Sequence, residues 1–134
     1  MQFQIKQNTV NHVALIQLLD IELGVTIDIL TIGALINSWL LRQGGESQQF
    51  IMGNTLDAAK EFESQGFRSA KMSPYVCRLY KGQYAHLNTN YTMDRFYMGE
   101  HAIHGIMYDA DFIVQATEAN EHQAAVILVH HYHA

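Results

Sequence analysis

Between Val25 and Leu41 the chain reads VTIDILTIGALINSWLL, and the spacing of apolar residues there does most to limit what it can fold into. In TIDIL apolar and polar residues alternate, which on a pleated strand puts Ile27 and Ile29 on one face and Thr26 and Asp28 on the other. Runs of similar character recur as QFQIKQ, HVALIQLL, FIMG, YVCRLYKGQYAHL, FIVQATEA and AAVILVHHY, all short and mostly rich in β-branched or aromatic residues. IELG and RQGGES read as hairpin or loop connections, and KGQ as a tight turn. One segment departs from the pattern. In NTLDAAKEFESQGF, Asn54 or Thr55 can cap, Leu56, Ala59 and Phe62 fall at three-residue steps, and Gly66 can stop the turn, so a short helix is expected. The pattern predicts an all-β fold with one short helix, arranged as an antiparallel β-sandwich whose strands have one buried and one wet face. No repeat, low-complexity tract or linker divides residues 1–134, so a single unit is expected.

Charge and composition narrow the partners. The 134 residues carry a formal charge of -5 with only 8 Lys and Arg, scattered along the chain. A nucleic-acid partner is not expected, because no basic stripe is present to neutralise phosphates. A membrane partner is not expected either, since no apolar run approaches the roughly 18 to 20 residues that span a bilayer. The opening residues lack the n-region, h-region and cleavage site of a secretory signal, which favours a cytoplasmic protein. Cys77 is the single cysteine, ruling out an internal disulfide. The last run, AAVILVHHYHA, stops without a turn or polar tail, as it would in part of a longer sandwich or in a strand that pairs with a partner.

The stretch HAIHGIMYDADF, residues 101–112, holds the candidate chemistry. His101 and His104 stand three apart, and HHYH puts His131 and His133 on one face of a continued strand, yet nothing shows three or four ligands converging on a metal. His130, His131 and His133 equally suit polar positions on a wet strand face or an exposed end. Cys77 reads as a core residue; successive strand residues point to opposite faces, so the adjacent Arg78 would not activate it as a thiolate. No GxSxG, P-loop or GxGxxG motif is present. His104 precedes Gly105, whose missing Cβ permits close approach by backbone or ligand, and a histidine on a loop held by a sheet suits hydrogen bonding or acid–base work. His101 reads as a wet neighbour in the same loop.

Four segments in order, VTIDILTIGALINSW, FIMGNTLDAAKEF, SPYVCRLYKGQY and HAIHGIMYDADF, together resemble the N-terminal half of the aldose 1-epimerase (galactose mutarotase) family, from about Val25 onward. The resemblance implies a place in that family's β-supersandwich, with Arg78 as the sugar-binding arginine and His104 as the first active-site histidine, at once catalytic and substrate-binding. Arginine offers a rigid fork of donors for sugar oxygens, and histidine can donate to a hydroxyl or the ring oxygen. Three positions depart from the family pattern: Cys77 where Asn is common, Ile106 where a second Gly follows, and Phe112 where Trp is usual. The implied reaction is ring opening and closing of an aldohexose without a cofactor or metal, in which a carboxylate takes the C1 hydroxyl proton and a histidine protonates the ring oxygen. The family's base and general-acid histidine would follow residue 134, and none of Asp109, Asp111, Glu118 or Glu121 matches the base. Two other classes remain open: a carbohydrate-binding module that keeps Arg78 and His104 for recognition, and a β-rich assembly domain. A half-sandwich would also expose sheet faces and edges, through which a homo-oligomer could form.

Overall fold

The computed structural model describes residues 1–133. The first half of the chain is one antiparallel meander in which β1 (Phe3–Val10), β2 (Val13–Asp20), β3 (Val25–Leu30), β4 (Leu35–Gln43) and β5 (Glu46–Gln49) lie side by side in chain order. The second half forms smaller units. β6 (Arg78–Leu79), β9 (Tyr97–Met98) and β10 (His101–Ile103) make a three-stranded sheet with β10 in the centre, while β7 (Gln83–His86) pairs with β8 (Thr89–Thr92) and β11 (Ile113–Ala119) with β12 (Ala124–Val129). All pairings between these strands are antiparallel, so the chain is all-β. No helix among the described residues is long and apolar enough to cross a membrane.

The long run from Val25 divides into two strands at Gly33. Its φ of +64° suits glycine, and a Cβ there would fall on the Tyr108 carbonyl. Gly33 N–H donates to the Ala110 carbonyl at 2.7 Å and Phe112 N–H to the Thr31 carbonyl at 3.1 Å, which stitches the segment after His104 onto the large sheet.

Strand register builds the core. Leu15 stands opposite Leu30, and Leu30 opposite Leu35, so three neighbouring strands each contribute one leucine to the same face. Val13, Ile32, Leu56, Phe62 and Ala70 pack against them. Farther along that face the residues turn polar: Gln17 donates to Asp28 at 2.9 Å, and Ser38 exchanges hydrogen bonds with Gln49. The expected division into one apolar and one wet face therefore fails. The opposite face carries a second apolar row, Ile16, Ile29 and Ile36 in register, followed by Ile27 beside Trp39. The β11–β12 hairpin lies against β1 and β2, and Trp39 stays 45% exposed with its ring tilted against Phe50.

The expected helix at NTLDAAKEFESQGF is absent; these residues form turns and irregular chain, and FIMG is likewise no strand. The only helical segment among the described residues is a 3-10 turn at Tyr80–Gly82, where the KGQ turn was expected. The cause lies on β4. A bulge between Asp28 and Ile29 leaves Asn37 as the extra residue, since Asp28 pairs with Ser38 and Ile29 with Ile36. Asn37 clasps Asn54: its Oδ1 accepts from the Asn54 amide at 2.6 Å and its Nδ2 donates to the Asn54 carbonyl at 3.0 Å. Asn54 Oδ1 in turn accepts the Gln65 amide at 2.7 Å, and Gln65 Oε1 accepts the Thr55 amide at 3.1 Å. The side chain expected to cap a helix closes a loop instead, and Leu56 and Phe62 reach the leucine cluster from that loop.

Candidate functional site

The site grows from the contact between residues 73–79 and 101–106. Arg78 stands opposite Ile103 and Leu79 opposite Ala102 in the β6–β10 pair. Just beyond it, His104 N–H donates to the Cys77 carbonyl at 2.9 Å, and Ile106 N–H donates to the Ser73 carbonyl at 2.8 Å. Gly105 is buried there at φ +75°, and a Cβ would land on the backbone of Ser73. Its missing side chain serves close approach of backbone. Residues 104–112 run without a named strand, apart from isolated bridges between Ser73 and Gly105 and between Ile32 and Asp111, and β11 begins at Ile113.

Arg78 and His104, the two residues that the resemblance implies, therefore lie on facing segments one position out of register, Arg78 opposite Ile103 and His104 opposite Cys77. Arg78 is exposed, and its side chain makes no hydrogen bond or ion pair among the described residues. His104 is half-buried. Its Nδ1 accepts the Cys77 amide at 3.2 Å, and the Phe67 ring meets it edge-on with centroids 4.4 Å apart. Because an amide can only donate, Nδ1 must hold a lone pair, and the neutral ring carries its proton on Nε2. Phe67 continues into an aromatic chain, with Tyr108 at 5.1 Å and Phe96 4.7 Å beyond it, and the Arg95 guanidinium sits 4.3 Å over Phe96. Burial pushes the Tyr108 phenol up from its ordinary value, and the Asp109 charge adds to the rise.

Several expectations are corrected. His101 is not a wet loop residue: it begins β10, is half-buried, accepts the Lys81 amide on Nδ1 at 3.0 Å and stacks on Tyr80 with centroids 5.4 Å apart. Cys77 is exposed and outside the core, because its φ of +61° breaks the strand alternation on which that expectation rested. His131 and His133 share no strand face, since β12 ends at Val129. His130 Nδ1 lies 2.7 Å from the Asp111 carbonyl, and its ring tilts against Phe112. No group of three or more His, Cys, Asp or Glu side chains among the described residues is placed to hold a metal.

A cleft of about 680 Å³ lies on another side of the same backbone. Tyr75, Leu79, Tyr84, Met93, Met107 and Tyr132 give it an apolar lining, and neither Arg78 nor His104 opens into it. The Tyr75 hydroxyl is shut off from solvent and makes no hydrogen bond of normal geometry. Burial raises its pKa; the nearby Gly105 amide opposes the rise electrostatically and Tyr97 adds to it. With one apolar wall and no donor that converges with His104, the cleft offers little to a polar ligand. Phe67 was not anticipated from the sequence. It follows Gly66 in a segment with a helical pattern, and its contact with His104 spans two distant parts of the chain. Comparison with protein-family models, curated proteins and solved structures finds no match to this chain.

Proposed function

We propose that this chain is an aldose 1-epimerase-like protein whose β6–β10 pair forms the sugar-recognition part of the site, within a larger β-sandwich and in the cytoplasm. The observation that carries the proposal is the placement of Arg78 at the start of β6 and His104 just past the end of the facing β10, the arginine exposed and the histidine ring held with Nε2–H as its donor. A guanidinium fork and an imidazole Nε2–H donor are both suited to the hydroxyl and ring oxygens of an aldohexose, and neither requires a cofactor or metal.

A second reading, recognition without catalysis, rests on a specific observation. In the reaction that the resemblance implies, a carboxylate takes the C1 proton. No carboxylate among the described residues is hydrogen-bonded or ion-paired to His104 or Arg78. Polarimetry with freshly dissolved α-D-glucose and α-D-galactose tests both, using the chain, His104→Ala and a buffer blank. Faster mutarotation that His104→Ala abolishes establishes the enzyme. Galactose binding without acceleration, again abolished by His104→Ala, establishes the recognition module; absence of both refutes the sugar proposal.

A further inference from the structure

The hydrogen bonds around His104 depart from a normal antiparallel ladder. In such a ladder facing pairs alternate, and the two residues of each hydrogen-bonded pair exchange both backbone bonds, each amide donating to the other's carbonyl. Here His104 N–H reaches the Cys77 carbonyl at 2.9 Å, while the return bond from Cys77 N–H goes to the imidazole Nδ1 at 3.2 Å. Both residues have left-handed backbones, φ 60° at His104 and 61° at Cys77, a conformation that costs a non-glycine residue about 1–2 kcal/mol. The ring thus takes the place of a backbone acceptor.

That substitution restricts the ring chemically. A proton on Nδ1 would oppose the Cys77 amide proton, so the bond survives only in the Nε2–H tautomer. Phe67 restricts it sterically, because an edge-on ring at 4.4 Å limits rotation of the imidazole about its χ2 axis. Phe67 is itself braced by Tyr108 at 5.1 Å, and it sits at the end of the loop that the Asn37–Asn54 clasp closes. The two contacts act together: the Cys77 amide selects the tautomer, and Phe67 keeps the ring from turning away from that amide. Among the described residues nothing accepts a hydrogen bond from that nitrogen.

We infer that the Cys77 backbone amide and the Phe67 ring are positioning groups that hold His104 as a single-donor, Nε2–H imidazole directed at an acceptor oxygen of a neutral polyol. The inference rests on the sugar proposal for the identity of the ligand and on local geometry for everything else. It explains how a cysteine can stand before Arg78: at this position the backbone N–H acts on the histidine, and the side chain is exposed.

The test joins a tautomer measurement to a ligand titration. Long-range ¹H–¹⁵N spectra of the whole chain at pH 8 should show His104 protonated at Nε2 with a lone pair at Nδ1. Phe67→Ala should convert this to a mixture, and Phe67→Leu, which keeps most of the bulk, should retain the wild-type pattern. In titrations with D-galactose, His104→Asn keeps an acceptor for the Cys77 amide but has no distal donor, and should bind at least about tenfold more weakly. His104→Gln, which supplies a distal N–H, should recover part of that loss. A ring protonated at Nδ1, or a tautomer pattern unchanged by Phe67→Ala in a folded chain, overturns the inference whatever galactose does. An Nε2–H ring in a chain that takes up no galactose overturns the sugar proposal.

Discussion

Replacing Asn37 by alanine tests the structural element that the sequence concealed most completely. The substitution removes the acceptor of the Asn54 amide at 2.6 Å, the donor to the Asn54 carbonyl at 3.0 Å, and a contact to Asn54 Nδ2 at 3.2 Å. Asn54 is only 5% exposed, so water cannot replace these partners without the loop opening. An unsatisfied buried polar group costs about 1–3 kcal/mol, and partial relaxation of the loop should bring the total for this cluster to about 3 kcal/mol. At roughly 3 °C per kcal/mol for a domain of this size, Tm should fall by roughly 10 °C. Urea denaturation followed by Trp39 fluorescence gives the free energy, and amide exchange localises it. The Gln65 amide, which donates to Asn54 Oδ1 at 2.7 Å, should exchange much faster, whereas the amides of the β2–β3 ladder should lose only the global protection. A loss under about 0.5 kcal/mol with Gln65 still protected would refute the clasp and restore the helix at residues 54–66 as the better account.

Further perturbations probe the rest of the assembly. Leu30→Ala removes the fully buried central member of the leucine row and should cost about 2–5 kcal/mol in the same urea experiment. Gly105→Ala should destabilise by at least about 1–2 kcal/mol through its φ of +75° alone, and contact with Ser73 should also shift the Ile106 amide resonance. Arg78→Lys should leave stability within about 0.5 kcal/mol, because the side chain is exposed and unbonded, while weakening galactose binding through loss of the planar fork. Tyr75 and Tyr108 are both held above the ordinary 10.0, chiefly by burial, so the unfolded chain releases these protons first. Their contribution is complete below pH 10 and is lost as pH rises through the folded values; Tyr108→Phe should flatten the alkaline fall in stability measured by urea titration. Lys71, held below 10.5 by burial, acts in the opposite direction and contributes stability as pH rises toward that value.

Where interactions were local, the fold could be read from the chain. Alternation in TIDIL, turn residues in IELG and RQGGES, and β-branched runs place β1 through β4, because strand and hairpin signals depend on residues close in sequence. The helix failed for a related reason. Leu56 and Phe62 have helical spacing, but that spacing records only that both are buried, and a loop laid over a leucine cluster buries them equally well. What decided the matter was Asn37, exposed to Asn54 by a bulge in a distant strand. The candidate site divides in the same way. His104 stood out through Gly105 and through its resemblance to an epimerase motif, whereas Phe67 and the Cys77 amide could not, since one is a long-range packing contact and the other carries no side-chain signature at all.

The three-residue spacing of His101 and His104 has a physical cause in the β6–β10 ladder. In the antiparallel β6–β10 pair Ala102 faces Leu79 and Ile103 faces Arg78, so the flanking histidines fall near opposite ends of the opposing segment. There the backbone turns left-handed, at Lys81 (φ 49°) and Cys77 (φ 61°), and each imidazole accepts the amide of one of these residues on Nδ1. The two rings thus perform the same structural task at the two ends of a two-residue ladder. A divalent metal could reach either ring at Nδ1 only by breaking a backbone hydrogen bond, and it would still lack a third ligand among the described residues. What separates the two histidines is their aromatic neighbour. His101 lies on Tyr80, which is exposed, with rings 30° apart; Phe67 pins His104 edge-on from a loop anchored to the large sheet. Zinc added to the chain should therefore leave the Nδ1 resonances of both rings in place, and D-galactose should shift His104 while leaving His101 unmoved. Equal shifts at both would show that their shared role as braces, and no recognition particular to His104, governs the pair.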